Sequence, residues 1–366
     1  MDELKTRHGS ARLPAFFPDA TRAVVRTVDA DDLRRCGVQG LVVNAFHLAS
    51  TPGAGLIKSQ GGVHAFMDWR APVLADSGGF QAMSMIRENA RYGTIEEGGI
   101  HYRNPDSKRR LKLTPEKCVQ IQFDLGADVM MCLDDCPSPD AGPDEVADAV
   151  RRTVAWARRC KAEFERQVAV RRLGADERPL LFGIIQGGYA PEKRRQCAEQ
   201  LWPMGFDGYG FGGWPLDAEG NLAEETLACT AELMPDQQVK YALGVGSPQN
   251  LVRCWEMGYR LFDCVLPTRD ARHRRLYVEA PERGPYAHRF LYLQDEAHKR
   301  DRRPVSEVCD CPCCTHYSRS YLHHLFQIGD VLAQRLATLH NLRFYARLME
   351  RLRLAENRQA AETGGP

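Results

Sequence analysis

The chain has 366 residues, 43% hydrophobic and 27% charged, with 49 Lys and Arg against 48 Asp and Glu. That size supports a large buried core, and that composition excludes a disordered or fibrous protein. The charges nearly cancel, so net charge carries no nucleic-acid signal, and only local clustering could build a phosphate-binding surface. The opening MDELKTRHGS has no apolar signal-peptide core. No apolar run reaches the roughly 18 residues that span a bilayer, so a cytoplasmic protein without membrane attachment is expected.

Short apolar runs follow one another along the chain: PAFFP (14–18), GLVVNAFH (40–47), PVLADSGG (72–79), ADVMMCLDD (127–135), LLFGIIQGG (180–188), GYGFGG (208–213), KYALGVGSP (240–248) and LFDCVLPTR (261–269). Each has the length of a parallel strand buried on both faces. Amphipathic segments of helix length, such as 144–168 and 191–204, lie between most of them. Strands alternating with helices predict an α/β protein, and their number favours a (β/α)8 TIM barrel over a doubly wound open sheet. Asp76, Asp134, Asp135, Gln186 and Asp263 fall at strand ends, which in a barrel converge on one mouth.

Of the thirteen cysteines, most, such as Cys132 and Cys264, stand alone in apolar runs and read as small core residues. Cys309, Cys311, Cys313 and Cys314 crowd together in CDCPCCTH. Free thiols so dense would be reactive if left exposed. The spacing C-x-C-x2-C at Cys309, Cys311 and Cys314 instead predicts a Zn2+ site, with Cys313 as the spectator. His316, His323, His324 and His340 are candidates for the fourth ligand. His340 lies on a predicted helix that coordination would clamp to the cysteine loop, and it completes the expected set. Four protein ligands leave no open position, so the metal would be structural.

After Arg275 the strand–helix alternation ends. We divide the chain into the main part of the barrel with its catalytic mouth (1–275), a zinc-binding subdomain with closing helices (276–348), and a C-terminal helix end with a polar tail (349–366). The segment 321–354 reads as helix.

DSGGFQ (76–81), GIIQGG (183–188), ALGVGSP (242–248), FDCVLPTRDAR (262–272) and the cysteine segment followed by SRSYLHHL (318–325) resemble, in order, signature segments of tRNA-guanine transglycosylases. The resemblance runs from about Leu13 to Leu348. It implies a TIM barrel with a zinc-binding insertion that exchanges guanine at the anticodon wobble position of tRNA for a 7-deazaguanine. Asp263 matches the nucleophile that forms a covalent ribosyl-aspartate, and Asp76 the carboxylate that handles protons. A bond that breaks through an oxocarbenium-like state suits such a division between two acids. Asp134, Gln186 and Gly213 match groups that bind the base edge, while Phe80 and Leu243 would cover its faces. Arg269 and Arg272 match residues that hold the neighbouring RNA. With Lys108–Arg110, Arg272–Arg275 and Lys299–Arg303 they could form a phosphate path. The resemblance also implies a homodimer formed through the zinc region.

One segment departs from the family. The common bacterial pattern follows Gly-Gly with Leu-Ala-Val-Gly-Glu, whose Glu recognises the aminomethyl group of the incoming base. Here Gly212-Gly213 is followed by Trp214, Pro215, Leu216, Asp217, Ala218 and Glu219. The family Glu falls on Ala218, and Pro215 lacks an N–H and restricts rearrangement of the loop. Asp135 also replaces a Glu, whereas Cys136 keeps the pattern. The incoming base is expected to be preQ1 rather than queuine. The alternatives are a non-catalytic partner subunit, which the presence of both Asp76 and Asp263 disfavours, and a DNA base-exchange relative.

Overall fold

The computed structural model describes residues 2–103 and 110–363. The eight apolar runs form eight parallel strands: β1 (Ala15–Pro18), β2 (Leu41–Asn44), β3 (Val73–Asp76), β4 (Val129–Met131), β5 (Leu180–Ile185), β6 (Gly208–Phe211), β7 (Val239–Ala242) and β8 (Leu261–Cys264). They pair in the order β1-β8-β7-β6-β5-β4-β3-β2. The remaining seam, between β1 and β2, is bridged where Asp19 pairs with Val42 and the Ala20 N–H donates to the Val42 carbonyl at 2.7 Å. The result is the nearly closed barrel that the sequence predicts.

Strand alternation sorts the side chains. Phe17, Val42, Leu74, Val129, Met131, Phe182, Ile184, Tyr241 and Leu261 fill the barrel interior. Their neighbours Phe16, Val43, Ala75, Met130, Leu181, Ile185 and Phe262 belong to the larger core outside the barrel. An N-terminal hairpin, Glu3–Thr6 paired with Gly9–Arg12, adds Leu4 and Ala11 to the interior cluster. Arg7 of its turn donates to the Gly126 carbonyl, and His8 meets the Asp128 carboxylate at 2.7 Å. The hairpin thus seals the N-terminal end of the barrel, opposite the strand ends that carry the polar residues.

The helices that matter for the site are α1 (Gly79–Glu88), α2 (Pro143–Arg171), α3 (Pro191–Leu201), α4 (Leu266–Arg272), α5 (Pro312–His316) and α6 (Val331–Thr363). Two small antiparallel sheets, absent from the sequence reading, are added: Gly93–Glu96 with Gly99–Arg103 and Arg110–Leu113, and Arg275–Glu279 with His288–Tyr292. Lys108 and Arg109 of the expected cationic cluster lie outside the described residues.

The helical segment 321–354 is two helices rather than one. Arg319–Gln327 ends before Gly329, whose φ of 72° lies in the left-handed region that glycine adopts without strain. The Asp330 carboxylate then accepts from the Leu332 N–H at 2.8 Å and starts α6. No helix among the described residues is long and apolar enough to cross a membrane.

Candidate active site

The alternation that fills the barrel also aims its mouth. Asp19, Asn44, Asp76, Gln186, Leu243 and Asp263 stand two residues beyond the interior residues Phe17, Val42, Leu74, Ile184, Tyr241 and Leu261. The same period turns all six inward, and all six line one cavity of about 340 Å³. Phe80, Asp134, Gly213, Trp214 and Pro215 complete much of its wall. The cavity exists because the inward positions of β6 and its extension are glycines. A Cβ on Gly210 would lie 2.6 Å from Leu243, and one on Gly212 would lie 2.6 Å from the Gln186 side chain.

Asp263 is held through one oxygen. Tyr241 Oη donates to Oδ1 at 2.7 Å and the Gly244 N–H donates to the same atom at 2.8 Å. Oδ2 has no protein partner among the described residues. Burial pushes the carboxyl up to about 6, against the two donors, and the Asp76 charge adds to the rise. Asp76 accepts from Asn44 Nδ2 at 2.8 Å. Burial raises its pKa as well, opposed by donors from Gly78, Gln81, Ser77 and Asn44. The two carboxylates therefore share a poorly solvated cavity in which a proton is readily kept.

Asp134 accepts from Gln186 Nε2 at 2.6 Å. Burial pushes Asp134 up to about 7 against this bond, with the charges of Asp76 and Asp135 adding to the rise. Gln186 Oε1 and Gln81 Oε1 are buried without a hydrogen-bond partner, and both side chains line the cavity. The Gly213 N–H also finds no acceptor among the described residues. A buried unpaired polar group costs about 1–3 kcal/mol, so unused groups clustered in a cavity point to a polar ligand.

Asp135 does not join them, contrary to the strand-end expectation. One residue on from Asp134, it turns outward, bonding Arg87 at 2.9 Å and Arg152 at 2.6 Å. The loop after Gly213 turns away from the cavity beyond Pro215. Asp217 accepts from the Asn221 N–H at 2.7 Å and so closes its own turn. Ala218 and Glu219 are exposed, and none of the three lines the cavity. Trp214 does: its indole N–H donates to the Pro137 carbonyl at 3.1 Å, and its ring meets Phe80 edge-to-face at 5.2 Å.

Arg269 and Arg272 lie on α4, which begins two residues after β8, outside the cavity lining. Arg269 is exposed. Arg272 is half-buried, and its buried Nη1 lacks a partner. Burial and the charges of Arg26, opposed by Asp19, and of Arg269 lower its pKa on balance.

Away from the mouth, Cys309, Cys311, Cys314 and His340 bring one ligand atom each to within 4.8 Å of one another, and could hold a metal ion. His340 Nδ1 is 3.2 Å from Cys314 Sγ and 3.8 Å from Cys311 Sγ. Its Nε2 lies 2.7 Å from the Tyr277 carbonyl. That bond requires the proton on Nε2, so the Nδ1 lone pair faces the thiols. Cys313 is buried beside the group but outside it. The donors fit a soft, tetrahedral cation.

The fold and this mouth define an α/β-barrel enzyme with carboxylates poised over a polar, ligand-shaped cavity. The chain belongs to the tRNA-guanine transglycosylases: residues 1–360 match the family described as Queuine tRNA-ribosyltransferase. A Queuine tRNA-ribosyltransferase of Halothermothrix orenii is 40% identical over 355 residues, covering 96% of this chain and 89% of that protein. Those of Aliivibrio salmonicida and Thermotoga maritima are 37% and 38% identical, with the same coverage of both chains.

Asn44, Tyr241, Gly244, Gln81 and Asp19 were not singled out from sequence. The inward parity of residues 19, 44 and 241 was the signal that could have found three of them.

Proposed function

We propose that this enzyme removes guanine from the wobble position of a tRNA and installs a 7-deazaguanine in its place, through a ribosyl-aspartate intermediate. The observation that carries the reading is the match between guanine and the unused groups of the cavity. Guanine offers N–H donors at N1 and N2 beside an acceptor at O6. Asp134 and Gln186 Oε1 can accept, and the Gly213 N–H can donate. Phe80 and Leu243 supply apolar surfaces for the ring faces.

In this scheme Asp263 Oδ2 attacks the anomeric carbon as the bond to guanine N9 breaks. Asp76 delivers a proton to the departing base. The incoming base then gives its N9 proton to Asp76 and displaces Asp263, which returns ionised. Tyr241→Phe removes a donor to Asp263 and should move the acid limb of the rate profile to higher pH. The expected loss at pH 6 is on the order of tenfold, recovering by pH 8.5. An unmoved limb would count against Asp263 as the titrating group.

The incoming base we assign is preQ1. Trp214 and Pro215 crowd the wall next to Gly213, which suits a small C7 substituent over the larger one of queuine. Incorporation of radiolabelled guanine into tRNA but not into duplex DNA tests the main reading. A partner subunit alone would label neither, and a DNA-exchange relative would label the duplex. Competition by preQ1 and queuine then tests the choice of base.

Arg269 and Arg272 would contact the RNA beside the target. Replacing each with Ala should reduce the salt slope of tRNA binding by about one. Unchanged slopes would remove them from the interface. Zn2+ would occupy the Cys309–Cys311–Cys314–His340 group in a structural role, as four protein donors leave no open position. We further assign a cytoplasmic homodimer. Val308, Tyr321, Ile328 and Val331 expose apolar side chains near the metal group in sequence, and light scattering would measure the assembly.

A further inference from the structure

Arg194, on α3, is a guanidinium sealed in the protein at 1% exposure. Among the described residues no carboxylate pairs with it. Its Nε donates to the Gly188 carbonyl at 2.8 Å, Nη1 to Ile185 at 3.2 Å and Nη2 to Gly212 at 2.9 Å. The Phe211 ring lies under it, 4.5 Å from Cζ to centroid. Burial lowers its pKa to about 10, which still leaves it charged at neutral pH. Leaving a charge unpaired in the interior is costly, and three carbonyls are an unusual sole set of partners.

The three carbonyls flank Gln186 and Gly213: Ile185 ends β5, Gly188 lies in the loop after Gln186, and Gly212 precedes Gly213. A trans peptide places its C=O and its following N–H on opposite sides. Arg194 lies outside the cavity lining, whereas Gly212 and Gly213 belong to it. With the Gly212 carbonyl turned toward Arg194, the Gly213 N–H is turned the other way, and it has no acceptor among the described residues. Arg194 also lies so close to these loops that only glycine fits beside it at two positions. A Cβ on Gly187 would lie 2.5 Å from Arg194 N, and one on Gly213 would lie 3.1 Å from Nη2.

We propose that Arg194 is a positioning residue. By holding the Gly212 carbonyl it aims the Gly213 N–H at the ligand, and so selects a base with an acceptor at C6. This rests on the assignment of the cavity to guanine. It separates Arg194 from a general structural role, because its effect should depend on one ligand atom.

Arg194→Lys keeps a cation that can reach one carbonyl but not all three. Binding of guanine and of 2-aminopurine, which lacks the C6 oxygen and with it the N1–H, is measured by calorimetry on wild type and variant; the missing N1–H acts on both proteins alike, so each base is compared with itself. The variant should bind guanine about tenfold more weakly, as for one lost hydrogen bond, and 2-aminopurine equally well. An equal loss for both bases, or no loss for guanine, would overturn the proposal. Should the variant fail to fold, the Arg194 Nε–H signal of 15N-arginine-labelled wild type gives a second test. It should shift with guanine and not with 2-aminopurine; the same response to both, or to neither, overturns it. Wild type that binds neither base would instead show that the guanine assignment itself is wrong, and this inference would fall with it.

Discussion

Replacing Asp263 with Asn should abolish base exchange while making the protein more stable at neutral and alkaline pH. The Asn oxygen can still accept from Tyr241 Oη and the Gly244 N–H, so the local structure is retained. What disappears is the nucleophile, and removal of a group that makes the covalent bond costs about 10⁴-fold or more in turnover. The stability effect follows from the raised pKa. The folded state holds the Asp263 proton up to about pH 6, against an ordinary value of 3.8. Above pH 6 the ionised carboxylate is a burden on the fold, and below about pH 4 it is protonated in folded and unfolded chains alike. The Asn variant should therefore gain on the order of 1–2 kcal/mol at pH 8, with the gain fading as pH falls through 6.

Two measurements check this. Wild type incubated with tRNA should give a covalent RNA–protein band on a denaturing gel, and Asp263→Asn should give none. Thermal melting at pH 8 and pH 4 should show the gain only at the higher value. A band that persists in the variant would move the nucleophile elsewhere. A variant that loses activity and also melts lower at pH 8 would point to misfolding instead.

Stripping the metal, or replacing Cys314 with Ser, should cost several kcal/mol of stability, because binding energy at a structural thiolate site is folding energy. The loss should not stay local. His340 contacts the Tyr277 carbonyl, and the next residue, Asn341, accepts from the Tyr277 N–H at 3.2 Å. Asn341 Nδ2 donates to the carbonyls of Pro267 and Arg275 at 3.0 and 3.1 Å. Four residues further on, Tyr345 Oη donates to the Gly246 carbonyl at 2.6 Å. Through α6 the Cys309–Cys311–Cys314–His340 group thus braces α4, which bears Arg269 and Arg272. Metal-free protein should lose tRNA affinity more than affinity for free guanine, whose proposed polar contacts lie in the loops after β4, β5 and β6. Elemental analysis with melting curves, followed by titrations of both ligands, tests the chain of contacts. A protein that melts unchanged without metal would exclude the structural role, and equal losses for both ligands would exclude the bracing route.

The barrel was legible because its strands are buried on both faces and read as unbroken apolar runs, which few other structures require. The cysteine loop was legible because C-x-C-x2-C has few uses other than metal. The small sheets at 93–113 and 275–292 were not, since neither forms the continuous apolar runs of the barrel strands: Thr94, Glu96, His101, Arg103 and Lys112 interrupt the first, and Glu279, His288 and Arg289 the second. The break at Gly329 does have a local signal, a glycine followed by the capping residue Asp330.

By itself, then, the sequence determined which residues are interior and which carry acid, amide or thiol chemistry, because composition and periodicity are local properties. Tertiary structure alone decided which of those groups meet. Asp134 faces the cavity while Asp135, its neighbour, pairs with Arg87 and Arg152. Asp217 closes its own turn and stays out of the cavity lining. Arg194, an unremarked cation in a helix, is buried behind the base-binding loops. These outcomes depend on which helix packs behind which loop and on contacts between residues far apart in the chain. No local pattern encodes them.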